Sequence, residues 1–259
     1  MQIFHEDTNT ITPPTGISKF SFDPDTYEYH FSLSGNTKVG DHVATWSTPM
    51  GNYVIENLPA PLTNTKGTCK NCKECKLSCY VRSSYRYPHV IFSQAINAWG
   101  LRHALKKVET DLAKQLLKHP KVDTIRLNQS GELENACQMA MWCRLAKKFP
   151  ERKFYIYTKM YDLVGKFLDR GDVPPNFTIL FSVWHNIGVE EYKKYSKHPN
   201  VKAFVYDDGK DMCLPTKCYC PAYKVIGKTG KAKIDHSVTC GTCRLCIDSK
   251  VLVIACHDH

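Results

Sequence analysis

The sequence predicts an α/β protein, a partial (β/α) barrel of about five to six parallel strands. It carries a β-rich N-terminal segment over residues 1–50 and a cysteine-rich C-terminal extension over residues 209–259. Three observations predict this. Strand-type and helix-type segments alternate between residues 51 and 208, as parallel βαβ units do. Of thirteen cysteines, eleven fall into two knots, at 69–79 and 213–256. No low-complexity linker or long internal repeat divides the chain. Four or five βα units are too few to close an eight-stranded barrel.

Taken in order, KFSF and TYEYHFSLS alternate polar and apolar residues, as half-buried strands do, and SGNTKVGD is turn-rich. YVIEN, from residue 53, is the first strand expected in the parallel sheet, with the first cysteine knot directly after it. Residues 89–118 read as one long amphipathic helix, because Phe92, Ala95, Ile96, Trp99, Leu105, Val108, Leu112 and Leu116 recur at three- and four-residue steps. Pro120 follows its end. Strands are expected at 122–128, 153–158, 177–184 and 201–207, and helices at 135–149, 159–169 and 189–197.

In such folds function gathers at the C-terminal ends of the strands. That rule singles out the 69–79 loop, Asn128 to Glu132, Thr158 and Lys159, Trp184 to Asn186, and Asp207 with Asp208. Arg126 inside an apolar strand requires a partner if buried. Lys159 reads either as a solvated lysine or as an anchor for a carboxylate or phosphate. Trp184 and His185 read as packing and surface residues.

The 259 residues are 42% hydrophobic and 23% charged, values of an ordinary globular protein, which excludes disorder over the whole chain. No apolar run approaches the roughly 18–20 residues of a membrane span. The opening MQIFHEDTNT has no basic stretch followed by an apolar one, so no secretory signal is expected. With an odd number of cysteines, a cytoplasmic metalloprotein is expected rather than a disulfide framework. GxGxxG and Walker A patterns are absent.

The first knot places Cys69, Cys72, Cys75 and Cys79 at C-x2-C-x2-C-x3-C, a run used by ferredoxins for iron–sulfur clusters. Short spacers let one loop wrap a compact cluster, whereas zinc sites usually draw two cysteines from each of two knuckles. The second knot holds Cys213, Cys218 and Cys220, then Cys240, Cys243 and Cys246 in TCGTCRLC, then Cys256. Eleven ligands divide as three plus four plus four, one cluster with an open iron and two fully ligated ones; with a histidine or a spare thiol allowed for, two to three [4Fe–4S] clusters are expected. A zinc ribbon on Cys218, Cys220, Cys240 and Cys243 is the alternative, and His236 or His257 could replace a thiol. Cys137 and Cys143 lie in an apolar helical pattern and read as core. Three loaded clusters would reduce the formal charge of +10 to roughly +5, so much of the lysine excess balances the clusters.

A cysteine loop after the first strand and ending in CY resembles the cluster loop of radical S-adenosylmethionine enzymes. The resemblance implies one [4Fe–4S] cluster on Cys72, Cys75 and Cys79, with an open iron for S-adenosylmethionine. Ser130-Gly131-Glu132 resembles that superfamily's glycine-rich segment, so Asn128, Ser130, Gly131 and Glu132 are expected to line the cofactor site. Glu132 would meet the cofactor's amino group, Lys159 would face the pocket, and Tyr80 would pack beside the cluster. Gly131 as a plain turn residue and Glu132 as a helix N-terminal carboxylate remain the structural alternatives. The spacers depart from the superfamily: C-x2-C-x3-C stands where C-x3-C-x2-C is usual. The extra C-terminal cysteines resemble auxiliary-cluster extensions.

A wider resemblance covers about 200 residues. GNTKVGD, NLPA, the cysteine loop, IRLNQSGE, FYIYTK and the late CPA with C-x2-C-x2-C resemble the phage and plasmid family named for gene product 88. It implies the architecture and metal ligation and names no substrate. The expected function is therefore an iron–sulfur redox enzyme with an electron donor and a small-molecule or macromolecular substrate. The alternative is a zinc- or iron–sulfur-stabilised protein binding nucleic acid. Lys66, Lys70, Lys73, Lys76, Arg82 and Arg86, interleaved with Ser83, Ser84, Tyr85 and Tyr87, would then form its electrostatic face.

Overall fold

The structure is a computed structural model, and it describes residues 3–33, 40, 42–72, 74–208, 214, 216–225, 232–235, 237–248 and 250–257. Along the chain come β1 (Phe4–His5), β2 (Thr10–Ile11), β3 (Val43–Thr45) and β4 (Val54–Ile55). Helices α1 (Pro88–His103) and α2 (Leu105–Lys118) follow, then β5 (Thr124–Leu127), α3 (Ala136–Lys148), β6 (Lys153–Thr158) and α4 (Tyr161–Asp169). Then come β7 (Phe177–Trp184), α5 (Val189–Tyr195), β8 (Val201–Asp207), β9 (Tyr223–Val225), β10 (Ala232–Ile234), α6 (Cys240–Cys243) and β11 (Val253–His257). The residues divide into two compact units. The first holds Met1–Phe31, Trp46–Lys118 and Asn128–Met141, and the second holds Ser32–Thr45, His119–Leu127 and Trp142–His259. No helix among the described residues is long and apolar enough to cross a membrane.

The second unit is built on a six-stranded sheet in the order β11-β8-β7-β6-β5-β3, with every pair parallel. Read from β3, the strands lie side by side in chain order, without the reversal of a doubly wound sheet. The pairing gives the sheet two unlike faces, because paired residues share a face and neighbours alternate. One face carries Ile125, Leu127, Phe154, Ile156, Phe177, Ile179, Phe181, Val183, Val201, Ala203 and Val205, all buried. Tyr161 of α4 and Tyr195 of α5 both pack edge-on against Phe181 on that side. The other face carries Arg126, Tyr155, Tyr157, Lys202, Phe204, Tyr206 and Cys256.

Two strands correct the sequence reading. The first strand of the parallel sheet is β3, not the segment from residue 53. Its three residues are all buried, so it shows no alternation to read. Val54–Ile55 instead joins a small sheet of the first unit, ordered β1-β2-β4. The sixth strand, β11, comes from the cysteine-rich extension and pairs with β8 from Val253↔Ala203 to His257↔Asp207.

In the first unit the expected helix over 89–118 is two helices, broken at Ala104 (φ −135, ψ 37). α1 is buried on most sides, whereas α2 buries one stripe, of Val108, Asp111, Leu112, Ala113 and Leu116. A straight rod cannot present both patterns to one core, so the chain bends where they meet. Gly100, one turn before the break, lies against the Tyr29 ring, where an added Cβ would stand 2.3 Å away. KFSF and TYEYHFSLS form no strand within residues 20–31, although Phe22, Tyr29 and Phe31 are buried. Their backbone is met by α2 side chains. Asp111 accepts from Tyr29 N–H at 3.3 Å, and the Gln115 amide both accepts from Phe31 N–H (2.6 Å) and donates to Phe31 C=O (3.1 Å).

Candidate functional site

Two cysteine constellations and one strand-end cluster stand out. In the first unit, Cys69 N–H is anchored to Gly51 C=O at 2.8 Å, and Lys76 N–H closes a turn on Cys72 C=O at 3.0 Å. Cys72 is buried, while Cys69, Cys75 and Cys79 are half-buried. Cys75 Sγ donates to Cys72 C=O at 2.9 Å, which draws these two together. Cys69 and Cys79 share the surroundings of Tyr85. Burial pushes that tyrosine far above its usual range, and both thiols add to the push. Tyr85 is fully buried, accepts from Met50 N–H and donates to Gln94, so the loop closes over a rigid floor.

The Ser130-Gly131-Glu132 step lies against the base of this loop. Glu132 N–H donates to Thr68 Oγ1 at 2.8 Å, one residue before Cys69, and Thr48 N–H donates to Ser130 C=O at 2.9 Å. Lys70 Nζ donates to Glu134 C=O at 2.9 Å, and the Tyr80 hydroxyl donates to Gln129 C=O. Gly131 takes φ +79, and a Cβ there would stand 1.9 Å from Thr48 Oγ1, so its turn role is established. Asn128 takes φ 52, a left-handed turn conformation that asparagine tolerates. Its Nδ2 donates to Glu132 Oε1 at 3.1 Å, and Leu133 N–H donates to the same oxygen at 2.8 Å. The carboxylate is thus buried but solvated by protein donors. Tyr80, expected beside the loop, is 43% exposed, whereas Tyr85 is fully buried.

Two basic residues, Lys76 in this loop and Arg82 just after it, are engaged internally. Arg82 Nη1 donates to Glu6 at 2.8 Å and to Tyr53 at 2.8 Å, and its guanidinium lies over the Phe4 ring. Lys76 donates to Asn9 Oδ1 at 2.5 Å and lies over the Tyr53 ring. Lys73 lies outside the described residues.

The second constellation lies on the polar face of the six-stranded sheet. Residues 218–220 run beside β11: Ala255 N–H donates to Cys218 C=O (2.9 Å), and Cys220 N–H to Ala255 C=O (2.8 Å). In such an extended run, alternate residues face the same way, so Cys218 and Cys220 project together. α6 is N-capped by Thr239, whose side chain and that of Thr242 cap each other's backbone N–H. Its C-x2-C spacing puts Cys240 and Cys243 on one side. Arg244 then turns left-handed (φ 53), and Cys246 follows.

Five of these cysteines act on one another electrostatically. Burial pushes the Cys246 thiol up to about 12, and Cys240 and Cys220 add to the push. Cys243 is raised by burial and by Cys220, Cys240 and Cys218. Beneath them, the Tyr157 hydroxyl lies 3.1 Å from Cys246 Sγ, and Arg126 Nη1 donates to Cys240 Sγ at 3.9 Å. Lys202 Nζ donates to Leu245 C=O at 2.9 Å. Burial lowers this lysine's pKa, against the pull of Cys246, Asp248 and Cys218. Cys256 is buried in a small cluster with Ala222 and Tyr223, with Cys220 and Phe204 packed against it. Cys213 and His236 lie outside the described residues. Among the described residues no group of three or more His, Cys, Asp and Glu side chains is placed to hold a metal ion.

The strand ends of the second unit hold the remaining residues. Trp184 stacks on Tyr206 with centroids 3.7 Å apart, and Lys159 Nζ lies 5.9 Å from the Trp184 ring. His185 Nε2 is 3.8 Å from Asp208. Asp207 accepts from the Tyr219 hydroxyl at 2.9 Å and pairs with His257 Nδ1 at 3.3 Å.

Sequence reasoning passed over Tyr155, Tyr157 and Lys202. The signal was present in KFYIYT, which alternates Phe and Ile with two tyrosines, and in a lysine inside VKAFVYD.

The family described as gene product 88 matches residues 31–249. No curated protein and no solved structure matches the chain.

Proposed function

This chain belongs to the gene product 88 family, and from that premise we propose that it is an iron–sulfur redox enzyme organised like the radical S-adenosylmethionine enzymes. The observation that carries the reading is the gathering of Cys218, Cys220, Cys240, Cys243 and Cys246 from two separate segments over Arg126 and Tyr157. Buried thiols that raise one another's pKa are unfavourable as thiolates until a cation offsets their charge. Soft sulfur donors suit iron–sulfur clusters or zinc, and a buried arginine helps to neutralise a tetrathiolate centre. Loading would draw the thiols inward from their present places.

Chain order supports the remainder. The Cys69–Cys79 loop follows β3, the first strand of the parallel sheet, and Ser130-Gly131-Glu132 follows β5, the second. Strands laid side by side in chain order suit a partial barrel, because successive right-handed crossovers fall on one face. Cys72, Cys75 and Cys79 would hold the open-site cluster, and the C-terminal thiols an auxiliary one. When bound, such clusters supply one-electron transfer. Glu132 would orient the cofactor's amino group with the oxygen held by Leu133 and Asn128. Lys159, beside Trp184, would steady an anionic group.

The test is metal and sulfide analysis of protein purified without oxygen, followed by S-adenosylmethionine turnover under strong reductant. About eight irons or more with matching sulfide, and release of 5′-deoxyadenosine, are the expected results. One or two zincs without iron would replace the reading with a zinc-stabilised protein. Iron without cofactor cleavage would leave a cluster protein that is not of this superfamily's chemistry.

A further inference from the structure

We propose that the first unit binds single-stranded nucleic acid along the outer edge of the 3₁₀ helix Tyr80–Arg86 and the Tyr87 that follows it. Such binding stands apart from the iron–sulfur reading and needs no metal. In a 3₁₀ helix, side chains three residues apart eclipse one another, so the segment presents three rows. One row, Tyr80, Ser83 and Arg86, is exposed throughout. In the other two rows Val81 and Tyr85 are buried, and Arg82 is held by Glu6 and Tyr53. At roughly 2 Å of rise per residue, the exposed row is a ladder about 12 Å long.

The ladder carries an aromatic ring at each end. Tyr80 is 43% exposed and Tyr87 45%. The Tyr80 hydroxyl is tied to Gln129 C=O, which fixes its ring. The Arg86 guanidinium carbon lies 4.9 Å from the centroid of the Tyr87 ring, and the exposed His89 ring is 5.8 Å from it. Ser83 Oγ folds back to donate to Tyr80 C=O at 2.9 Å, so only a small side chain stands between the two ends.

Charge selects the occupant. Lys66, Lys70 and Arg86 are exposed, and none makes an ion pair among the described residues. Glu6 and Glu134, which touch this part of the chain, already pair with Lys76, Arg82 and Arg102. The face therefore has an excess of positive charge, which phosphates complement. Exposed rings offer stacking surface to unpaired bases, whose faces a duplex hides. A planar guanidinium beside a ring holds a phosphate while the ring takes the base.

The experiment is fluorescence anisotropy of the full chain at low salt, with labelled oligodeoxyuridylate and oligouridylate of about twelve nucleotides. Both strands are expected to bind, and the tighter one identifies DNA or RNA as the source, because the two differ only in the 2′-hydroxyl. A duplex of equal length and an abasic strand, which keeps the phosphates and lacks the bases, are each expected to compete at least about tenfold less well. Tyr87→Ala is expected to weaken binding about tenfold, and Tyr87→Phe to preserve it, since stacking needs only the ring. Arg86→Gln is expected to reduce the slope of log affinity against log salt by about 0.7. A further readout needs no variant: a strand carrying 5-iodouracil should photocrosslink to Tyr80 or Tyr87 of the unaltered protein, as mapped by mass spectrometry. No binding at low salt overturns the proposal. Equal competition by the duplex or the abasic strand overturns it too, as do crosslinks confined to other residues. Metal content bears on none of these outcomes, so this proposal and the iron–sulfur reading fail separately.

Discussion

Gly131 shows how one residue couples two segments. Its φ of +79 and the Thr48 hydroxyl, which would stand 1.9 Å from an added Cβ, leave no room for a side chain. Gly131→Ala is expected to destabilise the protein by at least about 2 kcal/mol, read by urea unfolding, because left-handed strain adds to overpacking. Cys137 and Cys143, both on α3, separate just as sharply. Cys143 is buried, and burial pushes its thiol up to about 12, while Cys137 is exposed. Alkylation of the native protein near pH 8 should tag Cys137 and spare Cys143, as mapped by mass spectrometry; equal tagging would contradict the burial. The Cys143 thiol favours folding fully below its unfolded pKa of about 8.5. That contribution falls as pH rises toward the folded value, because only the unfolded chain releases the proton.

At the scale of elements, the β1–β2 hairpin acts as a brace for the first cysteine loop. Glu6, just past β1, bonds Tyr53 and Arg82 and lies 3.5 Å from Lys76, while Asn9 bonds Lys76. Burial opposes ionisation of Glu6, yet the hydrogen bonds from Tyr53 and Arg82 and the nearby cations hold its pKa below the usual value. Its stabilising effect is therefore present above the unfolded carboxylate pKa and is lost as pH falls through the lowered one. Glu6→Gln is expected to speed hydrogen exchange of loop amides around Lys76 and Arg82 by up to about fivefold, in keeping with a half-exposed ion pair. The wild-type loop should approach the variant's rate on acidification. Unchanged exchange would deny the brace.

At the scale of the whole molecule, the described residues of the cysteine-rich extension bury few apolar side chains: Ala222, Tyr223, Ile254, Ala255 and Cys256. Three of them, Ala222, Tyr223 and Cys256, form one buried cluster, with Cys220 and Phe204 of β8 against it. Where burial is scant, metal ligation carries folding energy. If the proposed centre is present, its removal by chelation under reducing conditions is expected to open the chain to protease between residues 209 and 250. The core strands β6, β7 and β8, buried along the apolar face, should survive as a protected fragment. Protection of the extension without metal would show that packing alone holds it.

Residue pattern by itself determined the alternation of strands and helices from residue 120 to 207. β6, β7 and β8 carry the expected bounds, because each is a dense apolar or aromatic run with a clear end. The same pattern supplied the two cysteine knots and the turn at Ser130-Gly131-Glu132. Only the tertiary structure decided that three-residue β3 opens the parallel sheet and that β11 closes it, since very short or fully buried strands carry no period. It alone decided that Phe31 is paired by a glutamine side chain, and that Arg126 and Tyr157 lie under Cys240 and Cys246, 114 and 89 residues away in the chain. Local sequence sets which way a side chain points within its own element. Which groups meet across elements depends on strand register and on the loops that return the chain, and both are settled only by packing.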